Sequence, residues 1–281
     1  MKASEFKSFN YLENGEVLFS IFETKKSTQV LDAGFYDISY EGYPKNSIIL
    51  KQLTIEESVK IHNFPDREKI SKLFEAFFDE KVISSISNLG FLHKIGVLLH
   101  GKEGSGKSTI LKYYANKAVV EHDAIVFYIR RENINNCWKF IQDIRSIQNN
   151  PIIIFFEEIE QHIAWEYNEG IIKTILDGNM SINNCILFAT TNYLEKIPNA
   201  IKNRPSRFKY VLDIEGIQDE EEVKQVLEVM IGDMFTPKEM DEFVNELKGQ
   251  TLDNIKQFAM DKLMDLKTYA KKEKRLGFIK T

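Results

Sequence analysis

The feature that most constrains the fold of this chain is a glycine-rich octapeptide at 101–108 (GKEGSGKS). It matches the pattern G-x-x-x-x-G-K-[ST], in which glycines let the backbone turn so that successive N–H groups face one bound anion. An apolar run at 95–100 comes directly before it, and a helical pattern at 107–120 comes directly after it. A strand, a glycine loop and a helix N-terminus in this order predict a phosphate-binding loop, because the helix dipole also favours the anion.

The residue types in this loop have defined chemical uses. Lys107 is expected to reach the β- and γ-phosphates of a nucleotide and to act in catalysis there, and the hydroxyl of Ser108 is expected to bind Mg²⁺. Backbone N–H groups supply the other contacts to the phosphates. The residues predicted to bind the nucleotide are Gly101, Gly104, Ser105, Gly106, Lys107, Ser108 and Thr109.

Strands and helices alternate through the middle of the chain. Short runs rich in Ile, Val and Phe at 124–129, 151–156 and 185–189 are separated by helical patterns at 137–147 and 169–176. The run PIIIFF is continuously apolar, which is typical of a strand buried on both faces of a parallel sheet. The sequence therefore predicts an α/β fold with a doubly wound parallel sheet.

Two flanking regions differ from this middle part. Residues 1–62 contain short β-rich runs separated by turn signals, and they predict a small β-rich N-terminal domain. Residues 215–281 contain helical patterns, including one at 252–266, so we expect an α-helical lid there. The α/β nucleotide-binding core is predicted to occupy 63–214.

Composition excludes several classes of protein. With 43% hydrophobic and 28% charged residues, the chain can bury a core and is not globally disordered. A formal net charge of −5 gives no general attraction for nucleic acid or anionic lipid. No apolar run approaches the ~20 residues that span a bilayer. The cysteines, Cys137 and Cys185, form neither a disulfide framework nor a zinc pattern, so we expect a cytoplasmic protein without a membrane partner.

Polar side chains follow two of the predicted strands. Glu157 and Glu158 come directly after 152–156, and Asn192 follows 185–189. Beside a phosphate loop, one acid at a strand tip can hold Mg²⁺ and a second can deprotonate the attacking water. The alternative for the glutamates is a solvated acidic turn. The asparagine could hold the water or contact the γ-phosphate, although Asn also ends strands for turn reasons alone.

Four motifs in order resemble those of AAA+ ATPases over about 64–265: GKEGSGKST, IIIFFEEIE, LFATTN and NRPSRF. The last resembles the RPxRF stretch of the AAA branch that includes proteasomal unfoldases and the mitochondrial Rieske-protein translocase. This resemblance implies a P-loop parallel sheet with a helical lid, and ATP and Mg²⁺ as cofactors. It also implies hydrolysis of ATP at the subunit interfaces of a homo-oligomeric ring, expected to be a hexamer.

The resemblance also implies roles for individual residues. Glu157 would be the Mg²⁺-associated Walker B acid, Glu158 the catalytic acid, and Asn192 the sensor 1 residue. Arg204 and Arg207 would be arginine fingers that enter the γ-phosphate site of the neighbouring subunit. An arginine there neutralises the charge of the transition state.

Three departures from the family pattern affect these expectations. Glu157 stands where Asp is usual, and its extra methylene displaces the carboxylate, which leaves the Mg²⁺ geometry and the rate of hydrolysis open. No Arg or Lys occurs at 251–254, so there is no sensor 2 arginine. The segment 130–138 has no aromatic–apolar–Gly pore loop; Trp138 is a candidate substitute, with core packing as its alternative.

The sequence therefore predicts an ATPase that remodels or translocates a protein client or adaptor. One alternative is a nucleic-acid-directed AAA+ protein of the clamp-loader or helicase-loader type. Lys/Ile/Asn-rich usage would suit a phage replication gene, acting in the host cytoplasm, but the acidic balance does not favour a nucleic-acid partner. The other alternative is a slow-hydrolysing, ATP-dependent scaffold, which is motivated by Glu157.

Overall fold

The computed structural model describes residues 8–11, 16–20, 30–42, 47–54, 67–165, 168–204 and 206–277. The strands in these ranges are β1 (Ser8–Tyr11), β2 (Glu16–Ser20), β3 (Gly34–Glu41), β4 (Ser47–Leu53), β5 (Lys94–His100), β6 (Ile125–Ile129), β7 (Ile152–Phe156), β8 (Cys185–Thr191) and β9 (Tyr210–Asp213). The α-helices are α1 (Arg67–Phe78), α2 (Glu80–Asn88), α3 (Lys107–His122), α4 (Ile134–Ile147), α5 (Ile159–Ala164), α6 (Asn168–Asp177), α7 (Asn199–Lys202), α8 (Glu220–Ile231), α9 (Pro237–Leu247) and α10 (Leu252–Gly277).

The strands form one sheet in the order β1-β2-β4-β3-β6-β7-β8-β5-β9. From β3 to β9 in this order, each strand pairs in parallel with the next. The pairs β3·β4, β2·β4 and β1·β2 are antiparallel. The predicted α/β class with a parallel sheet is confirmed.

The central strands direct alternate side chains into two apolar layers. On β7, Ile154 lies in the layer that contains Trp138 of α4, and Phe155 lies in the layer that contains Leu111 of α3. All five residues of β7 are buried. Helices therefore cover both faces of the sheet, which is why this strand has no polar position.

The N-terminal strands join the core sheet. Gly34 of β3 lies opposite Ile125 of β6, and the parallel register continues to Ile38 opposite Ile129. Ile38 is fully buried in the same apolar layer as Trp138. The β-rich content predicted for 1–62 is present in the described strands, and part of that region lies outside the described residues. The division into three domains stays a prediction.

The C-terminal part of the described chain is helical, from α8 to α10, and its role as a lid stays a prediction. Asp219 caps α8 by accepting hydrogen bonds from first-turn N–H groups, and Thr236 and Glu239 form a reciprocal capping box at the start of α9. Leu227 and Ile255 pack in the same apolar layer as α3. Among the helices of the described residues, none is both long enough and apolar enough to cross a bilayer.

Sequence patterns did not predict two of the short elements. The helix α2 has no buried residue, and the strand β9 has only four residues, none of them fully buried. Elements with few buried side chains carry little apolar periodicity, so sequence patterns detect them poorly. In addition, α10 continues to Gly277, beyond the predicted end at 266.

The pairing of β3 with β6 can be tested by Ile38→Ala. Because Ile38 is fully buried against the core, we expect the free energy of unfolding to fall by about 2–5 kcal/mol. Trp138 fluorescence in a Trp165→Phe background should report the shift, since Trp138 lies in the same layer. Lys51→Ala, an exposed change on β4, is the control. If Ile38→Ala does not shift the unfolding transition reported by Trp138 fluorescence, β3 and β6 unfold separately.

Candidate active site

A cleft of about 180 Å³ lies over the glycine loop. The loop follows β5, and in the sheet β5 is next to β8, which is next to β7. Because the carboxyl ends of parallel strands meet at one edge of a sheet, the segments that follow these strands converge there. The cleft is lined by Glu103, Gly104, Gly106, Lys107, Ser108, Thr109, Glu158, Thr190, Asn192 and Asp253. The structure thus brings most of the predicted nucleotide residues together with Glu158 and Asn192.

The loop turns into α3 at Gly106, which has φ 96° and is the N-cap of the helix. This left-handed backbone conformation favours glycine. A Cβ at this position would also lie 3.0 Å from Cδ2 of Leu252. Because glycine has no side chain to cap the helix, the N–H groups of the first turn of α3 are left for an anion.

Lys107 is held inside the loop. Its Nζ donates hydrogen bonds to the backbone oxygens of Gly101 at 2.8 Å and Lys102 at 2.7 Å. Burial lowers the pKa of this ammonium group, and the negative charges of Glu160 and Glu103 oppose that shift. Phosphate oxygens entering the cleft would offer Lys107 stronger, charged acceptors in place of these carbonyls.

Glu158 lies in the cleft with its backbone and its carboxylate both held by hydrogen bonds. Its N–H donates to Oγ1 of Thr190 at 3.1 Å, and its carboxylate accepts a hydrogen bond from Nε2 of Gln161. The backbone of Glu158 is left-handed, with a φ of 50°, so the chain turns directly after β7. Sequence reasoning missed Thr190 and Gln161. Two spacings in the sequence could have indicated them. Thr190 is two residues before Asn192, which puts both on the same side of an extended chain, and Gln161 is three residues after Glu158, which is the spacing of neighbours on a helix.

Glu157 lies outside this cleft. It lines a neighbouring cavity of about 280 Å³, together with Tyr128, Arg130 and His162. Its Oε1 is 3.1 Å from Nζ of Lys112. The Mg²⁺ role of Glu157 stays a prediction. The oxygen donors at the cleft, Ser108 and Glu158, are of the type that Mg²⁺ prefers, so the residues present fit a Mg²⁺–nucleotide complex.

Arg204 and Arg207 both pair with Asp177, at the end of α6. Nη1 of Arg204 and Nε of Arg207 lie 3.2 and 2.9 Å from Oδ2 of Asp177. Burial alone would raise the pKa of Asp177, but hydrogen bonds from Arg207 and Ser206 lower it below its usual value. Arg207 is 7% exposed and also donates to the backbone oxygen of Ala200, whereas Arg204 is 62% exposed. Neither lines the cleft of its own chain, and their role as arginine fingers stays a prediction.

The first turn of α10 packs on the glycine loop. The N–H of Asp253 donates to the backbone oxygen of Gly104 at 3.1 Å, and Asp253 itself lines the cleft. At Gly104, φ is 75° and a Cβ would lie 3.1 Å from Cβ of Asp253. The segment 251–254 was predicted to lack a sensor 2 arginine; the structure shows that an acid from this segment faces the nucleotide cleft instead.

Trp138 is a core residue. It is fully buried, and its Nε1–H donates to the backbone oxygen of Met180 at 2.8 Å. The core-packing alternative is confirmed, and Trp138 is not available as a pore residue. Burial likewise raises the pKa of Cys137 and of Cys185 to about 12, so both thiols stay protonated at neutral pH.

Removing the negative charge of Asp253 should strengthen nucleotide binding. We expect Asp253→Asn to bind ATP about 3- to 10-fold more tightly at low salt, because one carboxylate that faces the phosphates is neutralised. Titration with a fluorescent ATP analogue measures the change. The matched control is Asp261→Asn, two turns along α10, with no expected effect. Unchanged or weaker binding by Asp253→Asn would contradict the placement of this side chain.

Comparisons with known proteins agree with this geometry. Residues 97–215 match the family model described as ATPase family associated with various cellular activities (AAA). The chain is 30% identical over 197 residues to the cell division cycle protein 48 homolog of Archaeoglobus fulgidus, covering 62% of this chain and 26% of that protein. It is 27% identical over 197 residues to the proteasome-activating nucleotidase of Aeropyrum pernix (59% and 45%) and 25% identical over 203 residues to the vesicular-fusion protein SEC18 of Saccharomyces cerevisiae (63% and 26%).

The matched residues 97–215 include all the residues that line the cleft except Asp253. The chain spans between about a quarter and a half of the length of these relatives. The matched family is described as one of ATPases. Residues 97–215 are therefore similar to an AAA ATPase family domain.

Proposed function

We propose that this chain hydrolyses Mg²⁺–ATP at a site shared between two copies, and that the assembly uses hydrolysis to remodel a protein partner. The observation that carries the proposal is the division of charged groups within one chain. Lys107 and Glu158 lie in the cleft, whereas Arg204 lies outside it with an exposed guanidinium group. A second copy could supply the cation that one cleft lacks.

The chemistry within one cleft follows from the residues that line it. Lys107 and the N–H groups at the start of α3 would hold the phosphates. The carboxylate of Glu158, oriented by its hydrogen bond from Gln161, would accept a proton from the attacking water. Asn192 would position that water. Ser108, with Glu157, would hold Mg²⁺, which when bound neutralises charge on the β- and γ-phosphate oxygens.

The guanidinium group of Arg204 is exposed, so it is accessible to another molecule. Asp177 accepts hydrogen bonds from Arg204 and Ser206 and forms an ion pair with the buried Arg207, so Arg204 is tied to a partly buried network. An exposed guanidinium on a fixed support can stabilise phosphoryl charge with little loss of entropy. We infer a ring of identical subunits, and we take the hexamer as its expected form.

A protein partner is the best-supported class of target. One relative is named for activating the proteasome and another for vesicular fusion. The formal net charge of −5 gives no general attraction for nucleic acid. The slow-hydrolysing scaffold is the second candidate, because Glu157 pairs with Lys112 outside the cleft.

Glu158→Gln tests the catalytic acid. We expect ATP turnover to fall by about 10²–10⁴-fold, because the amide cannot accept the proton of the attacking water. Binding of a fluorescent ATP analogue should be retained. The control is Glu195→Gln, an exposed acid in the turn after Asn192, with expected normal turnover. Normal phosphate release by Glu158→Gln would show that another group acts as the base.

Mixing two inactive variants tests the shared site. Arg204→Ala should lose about 10³–10⁵-fold in turnover, the usual effect of an arginine finger, while still binding ATP. Lys107→Ala should lose ATP binding. In mixed oligomers, a Lys107→Ala subunit can give its arginine to the intact cleft of an Arg204→Ala neighbour, so the mixture should regain activity that neither variant has alone.

Lys209→Ala, an exposed cation next to the same segment, is the control for Arg204→Ala. Oligomeric mass should be measured in the same samples with ATP and Mg²⁺. An inactive mixture that still forms oligomers would exclude arginine sharing. Full turnover by a monomer would exclude the ring.

A further inference from the structure

The ion pair between Glu157 and Lys112 connects the nucleotide cleft with the neighbouring cavity. Ser108 and Lys112 are four residues apart on α3, so their side chains lie on one face of the helix. Ser108 lines the cleft, and Lys112 binds Oε1 of Glu157 at 3.1 Å. One helical turn therefore separates the predicted Mg²⁺ ligand Ser108 from the cation that pairs with Glu157.

Two further observations concern the charges that act on Lys107 and the charge of Glu157. The carboxylates that act on Lys107 in the cleft are those of Glu160, Glu103, Glu158 and Asp213. Burial, and then the negative charge of Glu157, raise the pKa of Tyr128, which lines the neighbouring cavity.

The length of the side chain explains this arrangement. Phe155 and Glu157 are two residues apart in an extended segment, so both point to the face of the sheet that α3 covers. Glutamate has one more methylene than aspartate, which extends its carboxylate toward the second turn of α3. A half-exposed lysine at that turn can then pair with it, an interaction that is weak enough to exchange.

We propose that Lys112 is a positioning residue that holds Glu157 in the neighbouring cavity and away from the Mg²⁺ position at Ser108. Binding of Mg²⁺ with the nucleotide then requires the ion pair to open. The arrangement makes nucleotide-dependent metal binding weaker than the ligands alone would give, and it raises the Mg²⁺ concentration at which turnover is half-maximal. The inference rests on the proposed Mg²⁺–ATP site.

Metal binding measured without turnover tests this role. Mn²⁺ replaces Mg²⁺, and free Mn²⁺ is followed by electron paramagnetic resonance in the presence of a saturating, non-hydrolysable ATP analogue. Lys112→Met removes the charge and keeps the length of the side chain. We expect it to tighten Mn²⁺ binding about two- to fivefold, the range of exposed ion pairs. Lys117→Met, on the same helix and paired with Glu121, is the control with no expected change.

A double-mutant cycle shows whether the effect passes through Glu157. In a Glu157→Gln background, Lys112→Met should no longer tighten Mn²⁺ binding, because the competing pair is already absent. The same gain in both backgrounds, or weaker Mn²⁺ binding by Lys112→Met alone, would overturn the positioning role. Turnover supplies an independent reading: Lys112→Met should lower the Mg²⁺ concentration for half-maximal rate more than it changes the rate at saturating Mg²⁺.

The wild-type chain separates this inference from the proposed function. If wild type binds Mn²⁺ only when the ATP analogue is present, the nucleotide site stands, and the variants decide the role of Lys112. If wild type shows no analogue-dependent Mn²⁺ binding, the Mg²⁺–ATP site is wrong, and the inference about Lys112 falls with it.

Discussion

The burial of β7 and β8 side by side at the centre of the sheet is the constraint on which the active site depends. Every residue of both strands is buried, so polar groups can appear only where the strands end. Parallel pairing with β5 puts those ends beside the glycine loop. Glu158 and Asn192 thus reach the cleft because of hydrophobic packing far from it.

The cleft itself is arranged around charge. Lys107 is surrounded by loop carbonyls, and the uncapped start of α3 adds partial positive charge, whereas Asp253 brings a negative charge from the helical part of the chain. Glu157, the other acid that follows β7, is held apart by Lys112. The site therefore contains features that attract phosphate and features that a bound nucleotide has to displace, and they come from distant parts of the chain.

In the proposed shared site, one chain supplies only part of the catalytic charge. Asp177 fixes Arg204 and Arg207 away from the cleft of their own chain, and the buried Arg207 acts as a support for the exposed Arg204. The two nearly adjacent arginines look equivalent in the motif NRPSRF, but Arg204 is exposed and Arg207 is enclosed by its own chain. The arginine-finger role of each stays a prediction.

Local patterns determined much of this protein. The glycine loop, the central strands and the helix starts at Asp219 and Pro237 are visible in the sequence, because each depends on backbone conformation or on the periodic burial of nearby residues. Tertiary structure alone decided the pairing of Glu157 with Lys112, the position of Asp253 on the loop, and the addition of β3 to β6. These contacts join residues far apart in the chain, and their geometry follows from how helices and strands pack, which no local spacing records.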